Sequence, residues 1–286
     1  MTKTLLQRVS PLLFVLLWST GFIGARLGLP HAEPLTFLLL RYALVITLLT
    51  AIALATRAPW PKTARAWLHI GVSGVLVHAI YLGGVFVAIS RGLPAGVSSV
   101  VVGIQPLLTA AVAGWLLGES VARRQWFGLG LGFIGVVMVV QAKFGTSFGW
   151  SALFPAVLAL FGITAGTLYQ KRFCPHFDLR TGAVVQFLPT LLLTFVAVTM
   201  TESMRIMWTG EFIFALAWLT LVLSLGAMSL LNLLIRRGGA VNVASLFYLV
   251  PPTTVMMAWW LFDETLTGVA LLGMALAVGG VYLARR

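Results

Sequence analysis

GIQPLLTAAVAGWLLGE, residues 103–119, and YLVPPTTVMMAWWLFDE, residues 248–264, are apolar runs that each contain proline and each close on glutamate. Proline removes a backbone donor and clashes with the preceding turn, a cost of about 3 kcal/mol in an ordinary helix interior. Inside a membrane helix it persists where the carbonyl it frees is satisfied by protein or by a watery cavity. Pro106 frees the carbonyl of Val102, and Pro251 with Pro252 frees those of Phe247 and Tyr248. Both runs therefore read as helices with a bending point, at Pro106 in one and at Pro251 and Pro252 in the other. The competing reading is a static kink that only improves packing.

Composition identifies the solvent in which those helices sit. Of 286 residues, 60% are hydrophobic and 9% charged, and the mean hydropathy is +1.01. That balance fits no water-soluble domain of this length, so the chain reads as an all-α integral membrane protein whose main partner is the lipid bilayer. A formal net charge of +12 raises the question of nucleic acid. In so apolar a chain the basic residues are better explained as cytoplasmic loop charges, and no nucleic-acid partner is expected. Cys174 is the single cysteine, which excludes an internal disulfide and a cysteine metal cluster. No metal and no cofactor is expected. The first apolar run is too long for the core of a signal peptide and lacks a small-residue cleavage site, so it is read as a retained span.

A hydrocarbon core of about 30 Å needs roughly 20 helical residues. Apolar runs of that scale occur at about 9–27, 35–55, 67–90, 95–117, 125–140, 150–172, 181–200, 212–235, 241–262 and 267–283. The reading is ten transmembrane helices joined by short connections, with no soluble domain attached. On the side of the N-terminus this topology places Lys3, Arg8, Arg57, Lys62, Arg65, Arg123, Arg124, Lys171, Arg172, Arg180, Arg236, Arg237, Arg285 and Arg286. The other side holds Arg26, Arg91, Lys143 and Arg205, and Arg41 lies inside the second span. The asymmetry puts both termini in the cytoplasm.

An offset of 145 residues superposes the chain on itself: Pro106 on Pro251, Thr109 on Thr254, Trp115 on Trp260, Glu119 on Glu264, Gly128 on Gly273 and Gly135 on Gly280. Upstream, Gly21 meets Gly166 and Arg26 meets Lys171, whereas Arg41 meets Gln186. The chain divides accordingly into 1–143 and 144–286, five spans each. Because five is odd, the second half enters the membrane in the opposite direction. The expected fold is two inverted five-helix repeats, the architecture secondary transporters use to build two gates.

Particular strings then resemble a known family. LLWSTGFIGA in the first span, Pro34 with Arg41 in the second, and AISRGLPAGVSSVVVGIQPLLTAAVAGWLLGESVARRQWFGLGLGFIGVVMVV with its second copy VASLFYLVPPTTVMMAWWLFDETLTGVALLGMALAVGGVYL resemble EamA-type members of the drug/metabolite transporter superfamily. Within that family the chain looks most like bacterial amino-acid exporters of the YddG type. The second copy departs in having Asp263 where the first has Gly118, and two prolines where the family usually shows one. The resemblance implies a bacterial cytoplasmic (inner) membrane location and a central cavity lined by the first, third, fourth, sixth, eighth and ninth spans.

Polar stripes on apolar helices mark candidate cavity residues, because in lipid polar side chains face the bundle interior or water. Gly71, Gly74, His78 and Tyr81 share a face of the third span at α-helical spacing. Asn242, Ser245 and Tyr248 do so in the ninth, Ser224, Met228 and Asn232 in the eighth, and Ser98 with Gln105 in the fourth. Trp18, Ser19 and Tyr169 add aromatic and hydroxyl groups. Each has a structural reading as well. His78 is equally suited to hydrogen-bonded packing, Ser98, Ser99 and Ser245 can bond their own helices, and Tyr81 and Tyr248 can simply pack. Trp18 lies too deep for the interfacial aromatic belt. Arg41 is about two turns from the outer end and can snorkel to water, or it can meet a substrate carboxylate. Glu119 and Glu264 are read as ordering the turns that follow them. The glycine ridges Gly128, Gly132 and Gly135, and Gly273 with Gly280, suit close helix packing.

An intramembrane enzyme needs paired acids or a histidine cluster. Asp178 and Asp263 lie near helix ends, and His31, His69, His78 and His176 are scattered, so catalysis is not expected. A channel or receptor does not explain a repeated mid-membrane break. The expected activity is export of amino acids, aromatic and apolar ones among them. The zwitterion would be held by uncharged polar groups, its side chain lying among Trp18, Tyr81, Tyr169 and Tyr248. Export of drugs, lipophilic cations or another small metabolite by proton antiport is the alternative, with His78 as the available mid-membrane proton carrier. The sequence leaves open whether the protein is a monomer or a homodimer.

Overall fold

The computed structural model describes residues 2–93, 95–141, 149–262 and 267–284. Lys143, Asp263, Glu264, Arg285 and Arg286, which enter the topology and repeat readings, lie outside the described residues. Among the described residues the fold is all-helical apart from its turns and one bridge pairing, Ala32 with Ile206. In chain order the helices are α1 (Thr2–Gly28), α2 (Pro34–Ala55), α3 (Ala64–Ser90), α4 (Ala95–Val102, then Gln105–Leu117), α5 (Arg123–Val140), α6 (Trp150–Phe173), α7 (Leu179–Thr201), α8 (Gly210–Arg237), α9 (Ala240–Ala244, Ser245–Leu249, Val250–Phe262) and α10 (Gly268–Ala284).

Eight of these, all but α5 and α10, are long and apolar enough to cross a bilayer. That count is lower than the ten spans expected from hydropathy. Helix α10 has 17 residues, and the first turn of α5 carries Arg123, Arg124 and Gln125. The two pack on each other along the glycine ridges. A Cβ added at Gly135 would lie 2.5 Å from the carbonyl oxygen of Gly273 and from the backbone nitrogen of Ala277. The backbones meet directly, so each ridge has no room for a side chain.

Elsewhere α2 packs on α7, α3 on α6 and α7, and α1 on α8 and α9. Small residues again set the close approaches: a Cβ at Gly84 would meet the backbone of Pro155, and one at Gly162 the backbone of Leu76 and Tyr81. The main core runs through Phe14, Trp18, Phe37, Tyr42, Phe187, Phe212 and Phe247. A satellite core under α5 and α10 contains Leu129, Val136, Tyr248 and Val281.

Two helices change winding at mid-depth. Val75–Leu82 within α3 and Leu219–Ala227 within α8 are π-helical. Val75 and Thr220 stand 145 positions apart, the offset that aligns the prolines. Helix α4 is interrupted at Gly103 and Ile104, and α9 tightens to a 3-10 turn over Ser245–Leu249. Pro106 and both Pro251 and Pro252 lie in the first turn of the helix that follows each interruption. The expected kink inside a continuous helix is thus a stop and a restart. In a first turn the missing N–H would be unpaired anyway, and the fixed φ of proline suits helix entry.

Carboxylates tie the two halves of the chain at both faces. On the face opposite the N-terminus Glu202, following α7, accepts hydrogen bonds from the backbone nitrogens of Leu35 and Thr36 at 2.8 and 2.7 Å, capping α2. On the face of the N-terminus Glu119, following α4, accepts from the backbone nitrogen of Ala240 through both oxygens, at 3.0 and 2.9 Å, capping α9. Glu119 therefore orders a helix in the other half of the chain rather than the turn after it, because the orphan donors within its reach belong to α9.

Candidate functional site

Helices α1, α2, α3 and α8 line a cavity of about 30 Å³. Trp18, Phe22, Tyr81, Leu223 and Met228 line it, together with Arg41. The rings of Trp18 and Tyr81 stack with centroids 6.3 Å apart and planes inclined by 11°. Arg41 is fully buried, so its side chain does not snorkel to water. Its Nε donates to the Ser224 hydroxyl at 3.0 Å, and that hydroxyl donates to the Leu219 carbonyl at 3.1 Å. The π-helical winding of α8 is what brings Leu219 and Ser224, five residues apart, into register. The two terminal guanidinium nitrogens of Arg41 are buried with no partner among the described residues.

Toward the face of the N-terminus, three buried amides form a ring. Gln186 Nε2 donates to Gln170 Oε1 at 3.1 Å, Gln170 Nε2 to Asn232 Oδ1 at 3.0 Å, and Asn232 Nδ2 to Gln186 Oε1 at 3.5 Å. Gln186 also donates to the Ser73 hydroxyl at 3.1 Å. The ring joins α3, α6, α7 and α8 with matched donors and acceptors, the condition under which buried polar groups are tolerated. Nearby, a space of about 10 Å³ is lined by Gln105, Thr167, Lys171 and Phe247. Gln105 Nε2 reaches the Thr167 hydroxyl at 3.5 Å. The Lys171 ammonium donates to the carbonyls of Ile235 and Gly238, closing the end of α8.

An aromatic cluster parts the two spaces. Phe14 lies 5.1 Å from Trp18 and 5.4 Å from Phe247, and Trp18 lies 5.4 Å from Phe247, centroid to centroid. A volume of about 30 Å³ holds water-sized occupants. A larger solute enters only if these helices move apart.

The structure gathers some of the sequence-derived candidates here and leaves others apart. Trp18 and Tyr81 line the cavity beside Arg41, and Gln105 the space beside Lys171. Asn232 belongs to the amide ring. Ser19 donates to Val15 of its own helix at 2.7 Å and touches the Val250 carbonyl of α9 at 3.3 Å. The Ser98 hydroxyl is buried without a partner among the described residues. His78 stacks on Phe187 of α7 at 4.0 Å, and its carbonyl accepts from the Tyr42 hydroxyl at 2.8 Å. Tyr169 hydrogen-bonds His69 at 2.6 Å near the start of α3, and its ring lies tilted by 45° against Phe173. Asn242 accepts from Gln125 at 3.4 Å at the seam of α5 and α9. Ser245 bonds the Asn242 carbonyl of its own helix. Tyr248 fills the space left by Gly132 of α5.

The stripe on α3 divides for a physical reason. Gly71, Gly74 and His78 face α7, whereas Tyr81 faces Trp18. A π-helix closes i→i+5 bonds, so each residue turns through less than the α-helical angle, and the face rotates across Val75–Leu82. Arg41, Ser224, Gln170 and Gln186 are the polar groups whose joint placement spacing did not reveal. A signal existed at two of them: Arg41 and Gln186 are the mid-span polar residues that the 145-residue offset superposes.

The pattern of the EamA-like transporter family matches residues 9–141 and, a second time, 150–286. A probable amino-acid metabolite efflux pump of Salmonella typhimurium is 29% identical, with 95% of this chain and 92% of the relative covered. A protein of the same description in Escherichia coli is 26% identical, with 96% and 93% covered. The uncharacterized inner membrane transporter YedA of Escherichia coli is 25% identical, with 94% and 87% covered. A solved crystal structure superposes with a TM-score of 0.78 at 21% identity, covering 96% of this chain and 95% of that one, which is a likeness of fold.

Proposed function

The chain belongs to the EamA-like transporter family, a family of multi-pass membrane transporters, and from that premise we propose that it exports amino acids from the bacterial cytoplasm by alternating access. The observation that carries this reading is the pair of small internal cavities, one toward each face, parted by the Phe14, Trp18 and Phe247 cluster. A solute path interrupted at its middle is what an alternating carrier requires and what a channel does not. Amino acids are the substrate class because the relatives from Salmonella typhimurium and Escherichia coli carry the words amino-acid metabolite efflux. The aromatic wall of Trp18, Phe22 and Tyr81 favours aromatic and apolar side chains.

The architecture that goes with this reading is ten spans in two inverted repeats, 1–143 and 144–286. The double family match and the recurrence of the π-helical and interrupted segments at one offset support it. The interruptions before Pro106 and before Pro251 with Pro252 are the hinges. Both termini are cytoplasmic, from the asymmetry of basic residues. With Cys174 replaced, a cysteine at Lys3 is expected to resist an impermeant thiol reagent in intact cells and to react after permeabilisation. Equal labelling before and after would reverse the orientation.

Transport is facilitated efflux down the gradient of an accumulated metabolite, since none of the described acids stands at mid-membrane to relay protons. One observation favours proton antiport as a second reading: Nδ1 of His78 is buried without a partner among the described residues. Counterflow in proteoliposomes, with labelled amino acids, nucleobases and lipophilic cations, decides. Saturable counterflow of amino acids without a pH gradient is the expected result, slowed in a folded Pro106→Ala variant. Counterflow of the cations and of no amino acid would replace the substrate class, and concentrative uptake driven by a pH gradient would replace the energetics.

A further inference from the structure

We propose that Arg41 is the anion-binding residue of the outer cavity, and that a carboxylate of the transported solute is its counter-ion. An ionised group taken out of water is tolerated when it is paired and hydrogen-bonded. Arg41 is fully buried among Trp18, Phe22, Leu82 and Phe86. Its one side-chain hydrogen bond is the neutral one from Nε to Ser224.

The acids among the described residues are committed elsewhere. Glu33 accepts from the backbone of Ser203 and Arg205 at 2.9 and 3.3 Å. Glu202 caps α2, and Glu119 caps α9. Glu211 meets His31 at 3.1 Å and Asp178 meets Arg180 at 2.7 Å. Among the described residues no carboxylate is left for Arg41, so the compensating charge comes from the solute.

Geometry selects the kind of anion. With Nε occupied by Ser224, the donors left are the two terminal nitrogens, the end of the guanidinium fork, and both are unpartnered. Two parallel N–H groups match the two oxygens of a carboxylate, a pairing that a lysine ammonium does not reproduce. The faces of Trp18 and Tyr81 stand on the same cavity and suit either an apolar side chain or an ammonium group. The zwitterion is then held at its carboxylate by a charge, rather than by uncharged groups alone.

This inference rests on the transport reading for its ligand, and the experiment separates the two. Phenylalanine, phenylalaninamide and 3-phenylpropionate are compared as competitors of labelled phenylalanine counterflow and as thermal stabilisers of the purified protein. In the wild type the acid is expected to compete at least ~10-fold better than the amide, since a site built for a polar group rejects the analogue that lacks it. Phenylpropionate is expected to stabilise the protein where the amide does not. In Arg41→Gln the acid–amide difference is expected to collapse, with Arg41→Lys retaining part of it.

Equal competition by acid and amide in the wild type overturns the assignment of Arg41 and leaves amino-acid transport standing. That comparison needs no variant to fold. Stabilisation by phenylpropionate that disappears in Arg41→Gln, with no amino-acid counterflow, keeps the anion site and overturns the amino-acid substrate. Neither stabilisation nor counterflow by any carboxylate overturns both.

Discussion

Gly280→Ala is expected to lower the yield of folded protein and its melting temperature by several degrees, while Gly279→Ala, one residue away, leaves both unchanged or slightly raised. A Cβ at Gly280 would lie 2.6 Å from the Gly128 carbonyl oxygen and from the Gly132 Cα, which are backbone atoms that no rotamer change can clear. Helices α5 and α10 would have to separate along their length. Overpacking of this kind costs typically about 1–3 kcal/mol, and here it also forfeits the close contact that holds membrane helices together. At Gly279 the same methyl meets nothing within 4 Å. Alanine there gains up to ~1 kcal/mol of helix propensity. Thermal unfolding in detergent, followed by size-exclusion chromatography, reads both variants. Equal loss at the two positions would mean that glycine acts through backbone flexibility and not through interhelical distance.

Glu119→Ala is expected to open the inner face. The Glu119 carboxylate is the side-chain acceptor for the Ala240 backbone nitrogen, and it fastens the end of α4 to the start of α9. Beside that seam Gln125 of α5 donates to Asn242 of α9 at 3.4 Å and to the Ala284 carbonyl of α10 at 3.1 Å. Losing a helix cap costs typically about 1 kcal/mol and up to about 2. If the seam holds only in the inward-closed state, that cost shifts the populations toward the open state by roughly tenfold. A cysteine at Ala244, buried beside the inner cavity, reports the shift when Cys174 is replaced. Its labelling by an impermeant maleimide from the cytoplasmic side is expected to accelerate by about tenfold in Glu119→Ala. Glu202→Ala, which loosens the outer seam, is expected to slow it. An unchanged rate in Glu119→Ala would reduce that carboxylate to ordering its own loop.

The membrane class and the positions of the helices were legible in the sequence, because the cost of placing polar backbone and charge in hydrocarbon acts residue by residue. The close glycine contacts were legible as well. Gly128, Gly135, Gly273 and Gly280 recur at helical spacing on otherwise apolar runs, and the absence of a side chain is a local property. The prolines announced interruptions of α4 and α9, though their place in a restarted first turn depended on how the preceding segment ends. Tertiary structure alone decided the site. Faces were assigned by assuming 3.6 residues per turn, and the π-helical winding of Val75–Leu82 rotated Tyr81 toward Trp18 while His78 stayed on Phe187. Arg41 read equally as a snorkelling residue until the packing of α2 against α8 buried it. Tyr248 sat on a polar stripe and Tyr169 was an aromatic candidate, but the gap at Gly132 claimed the first and His69 the second. Spacing shows which residues share a helix face; which helix that face meets depends on the rotations and crossings set by the whole bundle, and these are carried by no single segment.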